Sequence, residues 1–325
     1  MRVAGIDCGT NSIRLLVADT VSEPGAAAQG GPERLVDVHR EMRIVRLGQG
    51  VDASGVLAPE ALERTFAATE DYAAVIRELG AERVRFVATS ATRDARNRDE
   101  FAAGIRARLG VAPEVASGAE EASLSFAGAA SVLGLAAGQP VLVVDLGGGS
   151  TEFVLGDAAG VIAARSVDIG CVRLTERHLR SDPPTPEEIA AAEHDVDRGI
   201  DEALAEVPLG RATAVIGVAG SITTITAHAL GLPSYQPERI HGAELPLADV
   251  ADACSSLLSL THDERAALRY MHPGRVDVIG AGALVWRRIL VRLAELTEGR
   301  IATAVTSEHD ILDGIALSAA AGAGL

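Results

Sequence analysis

The spacing of apolar positions changes several times along the chain. Arg2 to Ile6 and Ile13 to Asp19 read as strands around a tight turn, Asp7-Cys8-Gly9-Thr10-Asn11-Ser12. Residues 22–34 are rich in Gly, Pro and Ala and read as a loop or long hairpin tip, and Leu35 to Leu47 alternates as another strand. Pro59 to Leu79 has a helical repeat with proline in its first turn. Val84 to Thr89 reads as a buried strand, Asp99 to Leu109 as a helix and Val111 to Ala116 as a strand. Glu120 to Leu135 is a small-residue helix, capped by Ser117 or Gly118 and broken by Gly138-Gln139-Pro140.

Then the opening pattern returns. Val141 to Val144 is a strand, Asp145-Leu146-Gly147-Gly148-Gly149-Ser150-Thr151 a turn, and Glu152 to Leu155 a strand, with Val161 to Asp168 continuing the hairpin. Helices are predicted over 187–205, 222–230, 257–270, 281–296 and 310–321, and strands over 214–218 and 301–305. The two strand–Asp–glycine-turn–strand units start about 140 residues apart, too wide a period for a solenoid, so the chain reads as a duplicated domain. The expected division is 1–123 plus 306–325 for one domain and 124–305 for the other, the last helix returning to the first.

The length of 325 residues also favours two domains. Hydrophobic residues make up 48% of the chain but aromatics only 3%, so Ala, Val, Leu and Gly must do the packing. There is no lysine; all 29 basic residues are arginine, whose contacts to anions can be planar and bidentate. A net charge of −16 argues against nucleic acid or an anionic membrane as partner. It leaves room for an anionic substrate, since local arginines and a metal can overcome the global repulsion. Three scattered cysteines, Cys8, Cys171 and Cys254, no signal peptide and no apolar run long enough to span a bilayer point to a reducing compartment, the cytoplasm.

Glycine turns present consecutive backbone N–H groups to an anion, hydroxyls add donors, and an aspartate ending the preceding strand can hold a divalent ion. Both turns have all three parts. One is Asp7 with Gly9, Thr10, Asn11 and Ser12. The other is Asp145 with Gly147, Gly148, Gly149, Ser150 and Thr151. A single such loop is common hairpin furniture; a matched pair is not. Arg14, Arg43, Arg93 and Arg173 lie near these loops in sequence or follow a buried strand, and Arg93 is the best placed of them for phosphate. Glu120 and Glu121 begin a helix, where carboxylates are equally explained by the helix dipole.

Taken together, several segments resemble the exopolyphosphatase/guanosine pentaphosphate phosphohydrolase (Ppx/GppA) family of the actin-like ATPase superfamily. They are Gly5-Ile6-Asp7-Cys8-Gly9-Thr10-Asn11-Ser12-Ile13-Arg14, Thr89-Ser90-Ala91-Thr92-Arg93 and Ser117-Gly118-Ala119-Glu120-Glu121-Ala122. Val144 to Glu152, Gly170 to Leu174 and Arg275 to Ile279 follow in family order. The resemblance implies an α/β fold of two duplicated actin-like (ribonuclease H-like) domains, each a mixed sheet flanked by helices, with a cleft between them. It implies release of the terminal phosphate from inorganic polyphosphate with Mg²⁺ or Mn²⁺. Glu121 would direct the water, with Glu120 as the neighbouring alternative. Asp7 and Asp145, with Glu152, would hold the metal; the loops, Arg14, Ser90 and Arg93 would grip phosphates. His309-Asp310 reads as a structural turn, and the chain resembles the short form without a C-terminal HD-type module, which favours short polyphosphate chains. Guanosine pentaphosphate as substrate, or an ATP-binding actin-like regulatory module, are the alternatives. A homodimer through Ala-rich helices 281–296 and 310–321 stands as an alternative to internal packing of those helices.

Overall fold

The structure, a computed structural model, describes residues 1–21, 34–131 and 136–322. The predicted loop over 22–34, apart from Arg34, and the end of the predicted helix at 132–135 lie outside these residues. The chain forms two compact units, Met1–Val132 with Asp310–Leu325, and Leu133–His309.

The first unit is built on β1 (Arg2–Cys8), β2 (Ser12–Val21), β3 (Arg34–Ile44), β4 (Arg83–Ala88) and β5 (Glu114–Val115), in spatial order β3-β2-β1-β4-β5. β1 pairs antiparallel with β2 and β2 with β3, whereas β4 runs parallel to β1 and β5 parallel to β4. A parallel centre must be covered on both faces. The Pro59–Leu79 helix covers one face, packing Leu62, Tyr72 and Ile76 with Ile6, Ile13 and Phe86. The final helix, Ile311–Ala321, covers the other, with Leu312 and Ala316 against Val3, Leu16 and Ala18. Gly5 allows that approach: a Cβ there would lie 3.0 Å from the Ala316 nitrogen.

The second unit has β6 (Val141–Leu146), β7 (Thr151–Asp157), β8 (Gly160–Val167), β9 (Ala214–Val218), β10 (Glu244–Pro246) and β11 (Thr303–Thr306). Their order is β10-β11-β9-β6-β7-β8. β6, β7 and β8 are antiparallel neighbours, and β9 and β11 continue parallel from β6. Strand for strand, β8-β7-β6-β9-β11 repeats β3-β2-β1-β4-β5 in order and direction; β10 is an addition at the edge. This is the duplicated α/β architecture expected from the sequence. Its core runs through Phe153, Leu142, Val196, Ile225 and Trp286.

Several boundaries differ from expectation. The Gly118–Ala130 helix belongs whole to the first unit, so the crossover lies beyond residue 124. The return comes at Asp310, because β11 pairs with β9 and the Ser307 N–H still bonds the Gly217 carbonyl. The predicted helix 257–270 is two helices, Leu247–Ser259 and His262–Ala266. Leu260 is extended, and Thr261 caps the new helix through a reciprocal bond with Glu264, a signal visible in the sequence as Thr-x-x-Glu. Helices Ser90–Asp94 and Cys171–Arg177 were not anticipated; both are short and follow glycine- or hydroxyl-rich turns. The two Ala-rich helices considered for a dimer are used internally. Ile279–Leu296 buries one face in the second core, and Ile311–Ala321 packs on β1 and on the Gly118–Ala130 helix.

The Pro186–Leu204 helix opens with a capping box between Thr185 and Glu188 and proline in its first turn. Thr185→Ala is expected to cost about 1 kcal/mol in chemical denaturation. Backbone N–H groups of Thr185, Ser181 and Arg180 hold the Glu188 carboxyl below its ordinary value. That contribution is present above the unfolded carboxyl value, about 4.3, and is lost as pH falls through the folded one. Acid unfolding of a Glu188→Gln protein, which lacks the carboxylate, should therefore depend less on pH over this range than that of the wild type.

Candidate functional site

The two glycine turns are closed alike. The Gly9 N–H donates to the Ser12 carbonyl at 2.9 Å, and the Gly147 N–H to the Ser150 carbonyl at 3.0 Å. These two N–H groups thus shape the turns themselves. In the first unit the Thr10 carbonyl accepts from Gly48 N–H, the Asn11 carbonyl accepts from Val45 and Arg46, and the Thr10 and Ser90 hydroxyls bond each other at 3.0 Å. Ser90 begins its short helix straight after β4, so the strand end and the first turn meet at this hydroxyl pair. In the second unit the Gly147 and Gly148 carbonyls accept from Cys171, Val172 and Arg173 N–H groups, and Arg173 Nε donates to the Gly149 carbonyl at 2.7 Å. A side chain at Gly170 would collide with Gly148, so glycine is required for this approach. Ser150 Oγ is buried and has no hydrogen-bond partner among the described residues.

Strand register separates the two copies chemically. Asp7 lies opposite Arg14, and Asp145 opposite Glu152, the same place in each hairpin. The first turn therefore carries a carboxylate–guanidinium pair and the second two carboxylates. Arg14 donates to Asp7 Oδ2 from Nε at 2.9 Å and Nη2 at 2.6 Å, and its Nη1 is held by Asp310. Arg14, expected at phosphate, is thus gripped by two carboxylates. Asp7 is 4% exposed; burial pushes its carboxyl up against the opposing pull of Arg14. Its Oδ1 is buried with no hydrogen-bond partner among the described residues. Asp145 and Glu152 are also buried, and Glu152 accepts from the Ser166 hydroxyl at 2.7 Å.

The paired glutamates separate as well. Ser117 caps their helix by accepting from the Glu120 N–H. Glu120 reaches Arg85 at 2.8 Å, which also binds Glu114 and Ser318. Glu121 is buried and accepts from Arg93 Nη1 at 3.0 Å; the same nitrogen donates to the Ala116 carbonyl at 2.9 Å. Arg93 follows Ser90 by one helical turn. The first unit so gathers Thr10, Ser90, Arg93 and Glu121 around the ends of β1 and β4. Arg43 is not part of this group: it pairs with Glu41 and Asp71 over the Tyr72 ring. Sequence reading missed Asp310 and Ser166 as partners of site carboxylates, because both pairings depend on register and on the returning chain. Arg275, which the sequence places in a family-like segment without a role, packs against Gly220 and donates to Thr224.

A constellation of buried carboxylates, glycine turns and hydroxyls at sheet ends is that of a phosphate-processing enzyme on a duplicated fold. The comparisons agree. Residues 26–319 match the Ppx/GppA phosphatase family, and the chain belongs to it. It is 53% identical over 324 residues to exopolyphosphatase 2 of Mycobacterium tuberculosis, covering 98% of both chains. It is 29% identical to a guanosine-5'-triphosphate,3'-diphosphate pyrophosphatase of Photobacterium profundum, covering 85% of this chain and 50% of that one. Among solved structures, an exopolyphosphatase-like protein has 48% identity and TM-score 0.89, with 98% of each chain covered. The Ppx/GppA enzyme of Aquifex aeolicus has 29% identity and TM-score 0.78, covering 98% of this chain and 99% of that one. No helix among the described residues is long and apolar enough to cross a membrane.

Proposed function

We propose that the protein is an exopolyphosphatase that hydrolyses the terminal phosphoanhydride of inorganic polyphosphate and releases orthophosphate. The observation that carries the reading is the buried Glu121 paired with the half-buried Arg93 beside the Thr10–Ser90 hydroxyls, in a member of a phosphatase family closely related to an exopolyphosphatase. Glu121 takes the role of orienting the attacking water. Glu120 is the weaker candidate, since Arg85 holds it with Glu114 in a separate ion cluster. In this reading Arg93 exchanges Glu121 for a phosphate oxygen when substrate binds, so one residue binds substrate and releases the carboxylate toward water. Thr10 and Ser90 offer further donors, and Ser150, whose hydroxyl has no partner among the described residues, offers one in the second turn, beside Gly148, Gly149 and Thr151.

Mg²⁺, or Mn²⁺, fits the donor set. The available groups are hard oxygens, and Asp7 presents a buried Oδ1 with no hydrogen-bond partner among the described residues. Among the described residues no three His, Cys, Asp or Glu side chains converge as a closed metal cage. That suits Mg²⁺, which keeps waters and uses one or two carboxylates with substrate phosphates. Asp7 would hold it in the first unit, Asp145 with Glu152 being the corresponding carboxylates of the second, and when bound it would offset charge on the phosphate oxygens. Three buried, unpaired cysteines accord with a reducing compartment, and we place the protein in the cytoplasm.

The test is orthophosphate release by the purified protein on tripolyphosphate, on long-chain polyphosphate and on guanosine pentaphosphate, each with Mg²⁺. We expect polyphosphate, short chains first, to be cleaved with the highest kcat/KM. Faster release from guanosine pentaphosphate would reverse the substrate assignment. ATP binding without phosphate release from any of them would place the protein with nucleotide-dependent regulatory modules.

A further inference from the structure

Asp310 stands where the chain re-enters the first unit, and it is 3% exposed. One carboxylate oxygen, Oδ1, accepts the Leu312 N–H at 3.0 Å and caps the final helix. The other, Oδ2, holds Arg14 Nη1. Arg14 turns its remaining edge, Nε and Nη2, onto a single oxygen of Asp7. A guanidinium is a rigid planar fork, so fixing Nη1 fixes the direction of the other donors. Left to itself, the fork would engage both oxygens of Asp7. Held by Asp310, it engages only Oδ2, and Oδ1 is left buried with no partner among the described residues. Asp310 is itself fixed: its N–H donates to Asp313 Oδ2 at 3.1 Å, while Asp313 Oδ1 accepts from Arg40 Nη2 at 2.6 Å.

Charge points the same way. With Asp310 present, Asp7, Arg14 and Asp310 sum to one negative charge, which favours a cation at Asp7. Without it the pair is neutral. From this geometry we propose that Asp310 is a positioning residue, acting through Arg14 to keep Asp7 Oδ1 open for the divalent cation. The inference rests on the metal role given to Asp7 above.

The test is direct Mg²⁺ binding by calorimetry, with Mn²⁺ binding by electron paramagnetic resonance, on wild type, Asp310→Asn and Asp310→Ser. Both substitutions keep a good helix N-cap, so either one folding suffices. Partners that orient a metal ligand are typically worth 10- to 100-fold in metal affinity. We expect the dissociation constant for Mg²⁺ to rise about tenfold or more, with kcat largely restored at saturating Mg²⁺. A structural role alone would lower the unfolding temperature without this split. Unchanged Mg²⁺ affinity in a folded variant, beside normal binding by wild type, would overturn the positioning role alone. Absence of Mg²⁺ binding by wild type would overturn the metal reading as well.

Discussion

Glu121→Gln is expected to lower kcat for orthophosphate release from polyphosphate by about 10²-fold or more, the usual contribution of a positioned general base. Glutamine keeps the volume of a side chain that is 7% exposed, so the surrounding helix and Arg93 have little reason to move. What disappears is the carboxylate that can accept a proton or a hydrogen bond from water. KM should change much less than kcat, because in the proposed reading substrate is held by the turns and by Arg93 rather than by Glu121. Glu120→Gln is the matched control. Its side chain pairs with Arg85, which keeps Glu114 as a partner, so near wild-type kcat is expected. Steady-state phosphate release across polyphosphate concentrations checks both. A Glu121→Gln protein of wild-type kcat, or an equal loss in Glu120→Gln, would remove Glu121 from the reaction.

The largest effect on stability should come from two glycines that carry no chemistry themselves. The Gly118–Ala130 helix and the final helix cross in the first unit almost backbone to backbone. A Cβ at Gly128 would strike the Asp310 carbonyl, whose carbon it would approach to 2.6 Å. A Cβ at Gly314 would strike the Leu124 carbonyl, reaching its carbon at 2.7 Å. Neither neighbour is a flexible side-chain end that can swing aside. Alanine gains up to about 1 kcal/mol in helix propensity over glycine. Against that, forced overpacking costs typically 1–3 kcal/mol and more where backbone must move. The clash should win, so Gly128→Ala and Gly314→Ala are each expected to lose about 3 kcal/mol or more in denaturant unfolding. Gly280→Ala is the contrast: its nearest neighbour is Leu258 Cδ1 at 3.6 Å, an ordinary contact, so a change near zero or a small gain is expected. Because Gly128 abuts Asp310, its variant should also weaken Mg²⁺ binding through the Arg14 fork, which Gly280→Ala should not.

Much of the fold can be read from local pattern. The Pro59–Leu79 helix is bounded by proline at its start and Gly80 in a left-handed conformation at its end, and both signals act within a turn of the helix. The strand Ala214–Val218 is a short apolar run between breakers, and needs no partner to be recognised. The break at Leu260 is hidden from a reading by periodicity although its capping box is local, because the apolar repeat runs through it and outweighs a cap that depends on two residues.

The site divides in the same manner. The sequence by itself determined the two turns, their aspartates and the Glu120–Glu121 pair, since a turn and the carboxylate before it are neighbours in the chain. Motif order across the chain was enough to name the family. Only the tertiary structure decided which glutamate is buried with Arg93, since that follows from how the Gly118–Ala130 helix lies beside β4. It alone showed that Arg14 and Glu152 occupy equivalent places opposite the two aspartates, and that Asp310 returns to grip Arg14. Strand register and the return of a distant segment are set by burying apolar faces together. The polar partners they bring into reach, nearly 300 residues apart for Arg14 and Asp310, leave no local trace in the sequence.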